Sequence, residues 1–166
     1  MFYHITTFGC QMNVHESEKL AGVLEKLGYT NTDDENKADV IVFNTCAIRE
    51  GAQDRAFGNI GNLKKRKQEN PNLIVCVCGC MSQQKEVADR IYDVFKFVDV
   101  VFGTHDISKF EEFLKKKLQS KKRIKSHIEE SEIWEDYPIK RTSGKNAWVN
   151  IMYGCNNFCS YCIVPY

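Results

Sequence analysis

Six of the eight cysteines fall into two groups of three, and thiolate groups of three do metal chemistry. The tighter group is Cys155, Cys159 and Cys162, a Cys-x3-Cys-x2-Cys array. A closed structural metal site takes four ligands. Three local thiolates can instead cap three corners of a 4Fe-4S cube and leave the fourth iron open to an outside ligand. A zinc knuckle is the alternative, but it draws on a nearby fourth Cys or His, and none follows Cys162 in the sequence. The bacterial ferredoxin run, Cys-x2-Cys-x2-Cys, is one residue shorter in its first gap. Tyr161 places an aromatic wall between the second and third cysteines.

The second group, Cys10, Cys46 and Cys80, is dispersed along the chain but shares one grammar. Each lies just past the end of a predicted strand and ahead of a helix. In an open parallel sheet those ends line one edge, where ligands collect at the topological switch point. Gly9 and Gly79 immediately precede two of the three, and glycine permits the tight turn that aims a ligand at a shared centre. Three readings stay open: buried cysteines acting as small hydrophobes, zinc completed by His15 or Cys78, and an iron–sulfur cluster on three soft thiolates. Cys76 and Cys78 alternate with Val75 and Val77 inside a strand and read as core. His4, His105 and His127 have no partner visible in sequence.

The elements that must position these groups follow an alternating pattern. Residues 2–8 read as a strand and 11–15 as a loop. Leu20, Val23, Leu24 and Leu27 then mark a helix that stops at Gly28. Residues 39–44 form a continuously apolar strand of the buried parallel kind. Ile48, Ala52, Ala56, Ile60 and Leu63 give one face of a long helix, closed by a basic run and Asn70-Pro71. A third strand covers 73–78. Ser82 is expected to cap the next helix, 97–102 to be a fourth strand, and Asp106 to cap a last helix bearing Phe110, Phe113, Leu114 and Leu118. Strands alternating with helices predict an α/β domain with an open, mostly parallel, flavodoxin-like sheet and flanking helices over residues 1–118. Residues 119–145 shift to mixed charge and read as a linker. A new strand over 147–152 leads into the terminal cysteines, so 146–166 reads as the first strand and cluster loop of a further, truncated domain.

Composition narrows the classes. The 23 basic and 22 acidic residues leave a net charge of +1, so no global basic field advertises nucleic acid. No apolar run approaches the roughly 20 residues of a membrane span. The first residues lack the charged start and apolar core of a signal peptide. The expectation is a cytoplasmic protein with no membrane partner, where eight cysteines favour metal or redox chemistry over disulfides.

The cysteine array with Tyr161 before its last member resembles the radical S-adenosylmethionine signature. Gly9-Cys10-Gln11-Met12-Asn13, Asn44-Thr45-Cys46-Ala47-Ile48-Arg49-Glu50 and Gly79-Cys80-Met81-Ser82-Gln83 narrow the resemblance to the methylthiotransferases of that superfamily. Phe102-Gly103-Thr104-His105 and Tyr153-Gly154-Cys155-Asn156-Asn157-Phe158-Cys159 fit it too. Within the family, Gln-Met-Asn after Cys10 and Ile-Arg-Glu after Cys46 look like the branch acting on isopentenylated adenosine next to the tRNA anticodon. The branches acting on threonylcarbamoyl-adenosine in tRNA or on a ribosomal-protein aspartate are the alternatives within the class. A non-enzymatic α/β module carrying a cluster or zinc is the alternative outside it.

The resemblance implies two 4Fe-4S clusters. One is held by Cys10, Cys46 and Cys80 and carries the sulfur to be inserted. The other is held by Cys155, Cys159 and Cys162 and cleaves S-adenosylmethionine to a radical that attacks C2 of the base. It implies a tRNA substrate, an electron donor such as flavodoxin or ferredoxin, and a radical-enzyme barrel of which on the order of 200 residues lie beyond this sequence. These 166 residues alone are therefore expected to be catalytically inert.

Overall fold

Two stretches, Val40–Thr45 and Ile74–Gly79, are buried at every position. A strand that is apolar on both faces needs a helical layer on each side. The protein, known here from a computed structural model that describes residues 1–47, 51–128, 137–152, 154–162 and 164, supplies those layers. Its chain order is β1 (Phe2–Thr7), α1 (Gln11–Lys26), β2 (Thr30–Asn31), β3 (Val40–Thr45), α2 (Ala52–Glu69), β4 (Ile74–Gly79), α3 (Cys80–Gln83), α4 (Lys85–Val94), β5 (Val100–Val101), α5 (Phe110–Ser120) and β6 (Ile124–Lys125). The six strands form one sheet in the order β2-β1-β3-β4-β5-β6, and every pairing is parallel.

Side chains along a strand alternate between faces, and the core divides accordingly. Val40, Val42, Cys76 and Cys78 pack with Leu20 and Leu24 of α1 and Phe110 and Leu114 of α5. Ile41, Phe43, Val75 and Val77 pack with Ile60 and Leu63 of α2 and Ile91 of α4. Asp99 fastens the second layer to the first. It is buried, with one carboxylate oxygen 2.7 Å from Lys67 Nζ on α2 and the other 2.7 Å from Lys117 Nζ on α5, and it accepts from the Val75 N–H at 2.9 Å.

Several sequence expectations need correction. Residues 11–15 are the start of α1 rather than a loop. Their polar side chains look solvent-facing in sequence, yet Asn13 and His15 are buried. The fourth strand shrinks from 97–102 to Val100–Val101 because Phe97 turns aside to pack edge-on against Phe95. Ser82 does not cap a helix. It is buried inside the short α3, and the chain breaks at Gln84 before α4 begins. The side chain of Gln83, the last residue of α3, binds the 104–105 turn and Ile128: its Oε1 accepts from the His105 N–H at 3.1 Å and its Nε2 donates to the Ile128 carbonyl at 2.9 Å. Asp106 lies within a 3-10 turn, Thr104–Lys109, and accepts a hydrogen bond from Ser126 at 2.9 Å. The expected face of α2 keeps Ala56, Ile60 and Leu63, while Ile48 and the side chain of Ala52 fall outside the described residues.

Two further findings concern the region after α5. Ile124–Lys125 pairs in parallel with β5, so part of the stretch read as linker belongs to the sheet. Residues 147–152 pair with no strand among the described residues, and Ile151 is 91% exposed. Between these, residues 137–142 run across the outer face of α1. Tyr137 packs against the core beneath, and the Pro138 carbonyl sits where any side chain on Gly22 would fall. This strap covers Glu18 and Lys19, so α1 buries charged residues as well as its apolar stripe.

Candidate metal centre

The sheet order places a reversal between β1 and β3, with β2 running outward on one side and β4 to β6 on the other. Such a switch point is where open parallel sheets bind their ligands. Cys10 follows β1 and Cys46 follows β3, so they flank the reversal. Cys80 follows β4, next in line. The register sharpens this. Thr45 pairs with Gly79, so Cys46 and Cys80 each stand one residue beyond the same rung.

Two glycines bring the turns together. Gly9 adopts a φ of 122°, and a Cβ there would lie 2.7 Å from Cys46 Cβ and 2.9 Å from Cys46 Sγ. Gly79 adopts a φ of 101° with its α-carbon pressed against β3, where a Cβ would meet Asn44 Oδ1 at 2.5 Å and Thr45 N at 2.6 Å. Side chains cannot occupy either place, and L-residues avoid that backbone region. The β1 and β4 turns are therefore drawn in against Cys46 and the end of β3.

A hydrogen-bond network underlies the thiols. Cys10 and Asn13 form a reciprocal capping box at the start of α1, with Asn13 Oδ1 accepting from the Cys10 N–H at 3.4 Å and from its Sγ at 3.5 Å. Asn13 Nδ2 donates to Asn44 Oδ1 at 3.1 Å and to the Thr45 carbonyl at 3.0 Å. Asn44 Nδ2 donates to the Asn13 carbonyl at 2.8 Å and to Ser17 Oγ at 3.0 Å, and Ser17 Oγ meets Thr7 Oγ1 at 2.7 Å. Thr45 Oγ1 closes the network by donating to the Cys78 carbonyl. Asn13 and Asn44 went unmarked as site residues in the sequence. Asn13 and Asn44 do lie within the Gly-Cys-Gln-Met-Asn and Asn-Thr-Cys motifs, which was the one signal available.

Cys80 lies close enough to feel both other thiols. Cys46 is buried, and Cys10 and Cys80 are half-buried. Burial pushes the Cys80 thiol up to about 11, the proximity of Cys46 and then Cys10 adds to the rise, and hydrogen bonds from its own backbone and from Asn13 oppose it. Cys80 therefore favours its protonated form until a cation replaces the proton. No group of three His, Cys, Asp or Glu side chains that could hold a single metal ion is found among the described residues. Zinc would gather four donors, each about 2.3 Å away for sulfur, around one point. A four-iron cluster instead gives each thiolate its own iron, and an all-sulfur donor set spread over three strand ends fits that demand.

The proposed fourth zinc ligands sit elsewhere. His15 is buried with its Nδ1 3.9 Å from Glu18 Oε2, and burial and then the Lys19 charge lower its pKa. Cys78 is fully buried in the core under α1, and burial pushes its thiol well above its ordinary value. Cys76 is likewise core. His4 hydrogen-bonds the Thr32 carbonyl at 2.9 Å and His105 the Ile128 carbonyl at 3.2 Å, so both serve local structure.

The other array occupies an irregular loop. Gly154 and Phe158 take positive φ angles of 68° and 47°, and the Cys162 N–H donates to the Cys159 carbonyl at 3.0 Å. Cys155 and Cys162 are half-buried and Cys159 is exposed. Tyr161 stands almost wholly in solvent and walls nothing off. Tyr153 and Ile163 lie outside the described residues.

Comparison with known proteins gives a consistent picture. A model of the Uncharacterized protein family UPF0004 matches residues 2–103, the sheet with all three strand-end cysteines. The chain is similar to the tRNA-2-methylthio-N(6)-dimethylallyladenosine synthase of Thermoanaerobacter sp. (strain X514), 53% identical over all of this chain and 36% of the relative. It is 54% identical to the protein of that name from Caldicellulosiruptor saccharolyticus, over 99% of this chain and 35% of the relative. It is 51% identical to that of Clostridium botulinum (strain Alaska E43 / Type E3), over 99% and 36%. The chain thus spans little more than a third of the length of these curated relatives. No described helix is long and apolar enough to cross a membrane.

Proposed function

The chain belongs to the Uncharacterized protein family UPF0004, and from that premise we propose that it is the N-terminal part of a tRNA methylthiotransferase that uses S-adenosylmethionine and two 4Fe-4S clusters. The observation that carries the reading is the gathering of Cys10, Cys46 and Cys80 at the switch-point edge of the sheet. The relatives' names point to the substrate: isopentenylated adenosine in tRNA, modified at C2. The cytoplasm and a small electron-transfer partner belong to the same proposal.

Cys10, Cys46 and Cys80 would hold one cluster, and Cys155, Cys159 and Cys162 the other. When bound, the clusters supply what no side chain here can, namely electrons for radical chemistry on S-adenosylmethionine and a sulfur donor. The chain's own contribution is placement. Gly9 and Gly79 bring three loops within reach of one another. Asn13 and Asn44 tie the start of α1 to the end of β3, so that Cys10 and Cys46 keep a fixed separation. The burial of Cys46 keeps water from one side of the group. Cys10 and Cys80 stay half-buried, which leaves a route for a partner molecule. The strap over α1 fastens the segment leading to Cys155 onto the helix that begins beside Cys10.

The test is mass spectrometry of tRNA from a strain lacking the full-length gene. The 2-methylthio mark on isopentenylated adenosine is expected to vanish, and to return with the intact gene but not with a Cys46→Ala version. An undiminished mark in the deletion strain overturns the assignment.

A further inference from the structure

We propose that Asn13 is a positioning residue for Cys10 and Cys46 within the Cys10, Cys46 and Cys80 group. The inference rests on the reading that this group holds a cluster. Asn13 is 1% exposed and sits in the first turn of α1. Its carboxamide reaches Cys10 and Cys46 by different routes. It accepts from the N–H and the sulfur of Cys10. It donates to the carbonyl of Thr45, the residue that leads into Cys46. Asn44 fixes the amide plane from the other side, accepting from Asn13 Nδ2 and donating to the Asn13 carbonyl.

Helix capping alone does not require this arrangement. A cap at N3 needs only the bond to the Cys10 N–H, and the bonds to Thr45 and Asn44 lie outside that role. Asparagine has low helix propensity because its side chain competes for backbone groups. Here that competition is put to use across two strand ends. Groups that orient metal ligands from outside the coordination sphere typically contribute a factor of about 10 to 100 in metal affinity. Hydrogen bonds to the sulfurs and nearby charge also set a cluster's reduction potential.

The test uses the whole chain with Cys155, Cys159 and Cys162 changed to Ala, so that iron can bind at the first group only. This parent is reconstituted anaerobically with iron and sulfide and is expected to hold about four irons. Asn13→Ala is expected to lose its iron to a chelator at about 10- to 100-fold lower chelator concentration than the parent. Ser17→Ala is the control. It removes bonds to Thr7 and Asn44 from the same network without touching a thiol, and is expected to melt earlier but keep the parent's chelator titration. Asn13→Asp keeps the shape of the side chain, so it remains readable if the alanine variant does not fold. Its added negative charge is expected to make the cluster potential more negative than the parent's. A parent that takes up no iron overturns the cluster reading and this inference with it. A loaded parent matched by both Asn13 variants in chelator titration and potential overturns the positioning role alone, as does a Ser17→Ala variant that loses iron as readily as Asn13→Ala.

Discussion

Removing the carboxylate of Glu18 should detach the strap from α1 without unfolding the domain. Glu18 is 1% exposed and accepts three hydrogen bonds, each of 2.9 Å, from Arg141 Nη1, the Thr142 N–H and the Thr142 hydroxyl. Its own carbonyl accepts from the Lys140 N–H at 3.0 Å. Breaking a buried ion pair from one side costs about 3–5 kcal/mol. Arg141 is 33% exposed and can turn to water once its partner is gone, which places Glu18→Ala near the lower end, about 3 kcal/mol. At 1.36 kcal/mol per decade that is a roughly 150-fold rise in the open population of the strap. The assay is hydrogen exchange at the amides of Lys140 and Thr142, with trypsin cleavage at Lys140 and Arg141 as a second readout. Glu18→Gln keeps the shape and loses the charge, so its effect should be smaller, about 1 kcal/mol. The pH dependence has a definite sign. Burial pushes the Glu18 pKa up, but the bonds from Thr142 and Arg141 outweigh it and hold it below its ordinary 4.5. The stabilisation is therefore complete above that value and is lost as pH falls through the lower folded one. Acid should loosen the strap in the parent and leave Glu18→Gln unaffected. Unchanged exchange in Glu18→Ala, or an equal acceleration across β3 and β4, would refute the reasoning.

Three other outcomes follow from the packing. Gly22→Ala should raise the intrinsic helicity of α1 by about 1 kcal/mol, yet its Cβ would overlap the Pro138 carbonyl. Trypsin should cut the strap faster while the domain's melting temperature holds. Gly79→Ala sets a side chain at a φ of 101° against Asn44 and Thr45 and should destabilise by at least about 2 kcal/mol in urea titration. Asp99→Ala strands Lys67 and Lys117, both only 13% exposed. It should destabilise by about 3 kcal/mol by chemical denaturation, a loss that chloride in the buffer should not restore.

Much of the fold was legible because its strands are strongly apolar. Strands β1, β3 and β4 lie within one residue of their expected bounds, since runs such as Val40 to Phe43 permit no other element of that length. Strands β2 and β6 have two residues each, too few for any periodicity, and exist only because β1 and β5 present free edges to them. The start of α1 was misread because Gln11, Asn13, His15 and Glu16 are polar. The burial of Asn13 and Glu16 comes with partners at Asn44 and Asn150, neither of which is near in sequence. The triad of Cys10, Cys46 and Cys80 could be grouped from the strand–loop–helix grammar alone. The use of Asn13 could not, because it depends on the register that sets Thr45 against Gly79. The strap lay hidden in a charged stretch whose Arg141 looks like any solvated cation until Glu18 is seen beneath it.

The most direct measurement is iron and acid-labile sulfide per chain after anaerobic reconstitution, in the unaltered protein and in a Cys10→Ala, Cys46→Ala, Cys80→Ala variant. Two clusters predict about eight irons in the first and about four in the second, with far-UV circular dichroism unchanged. Equal iron in both proteins, or stoichiometric zinc that the triple substitution abolishes, would contradict the account.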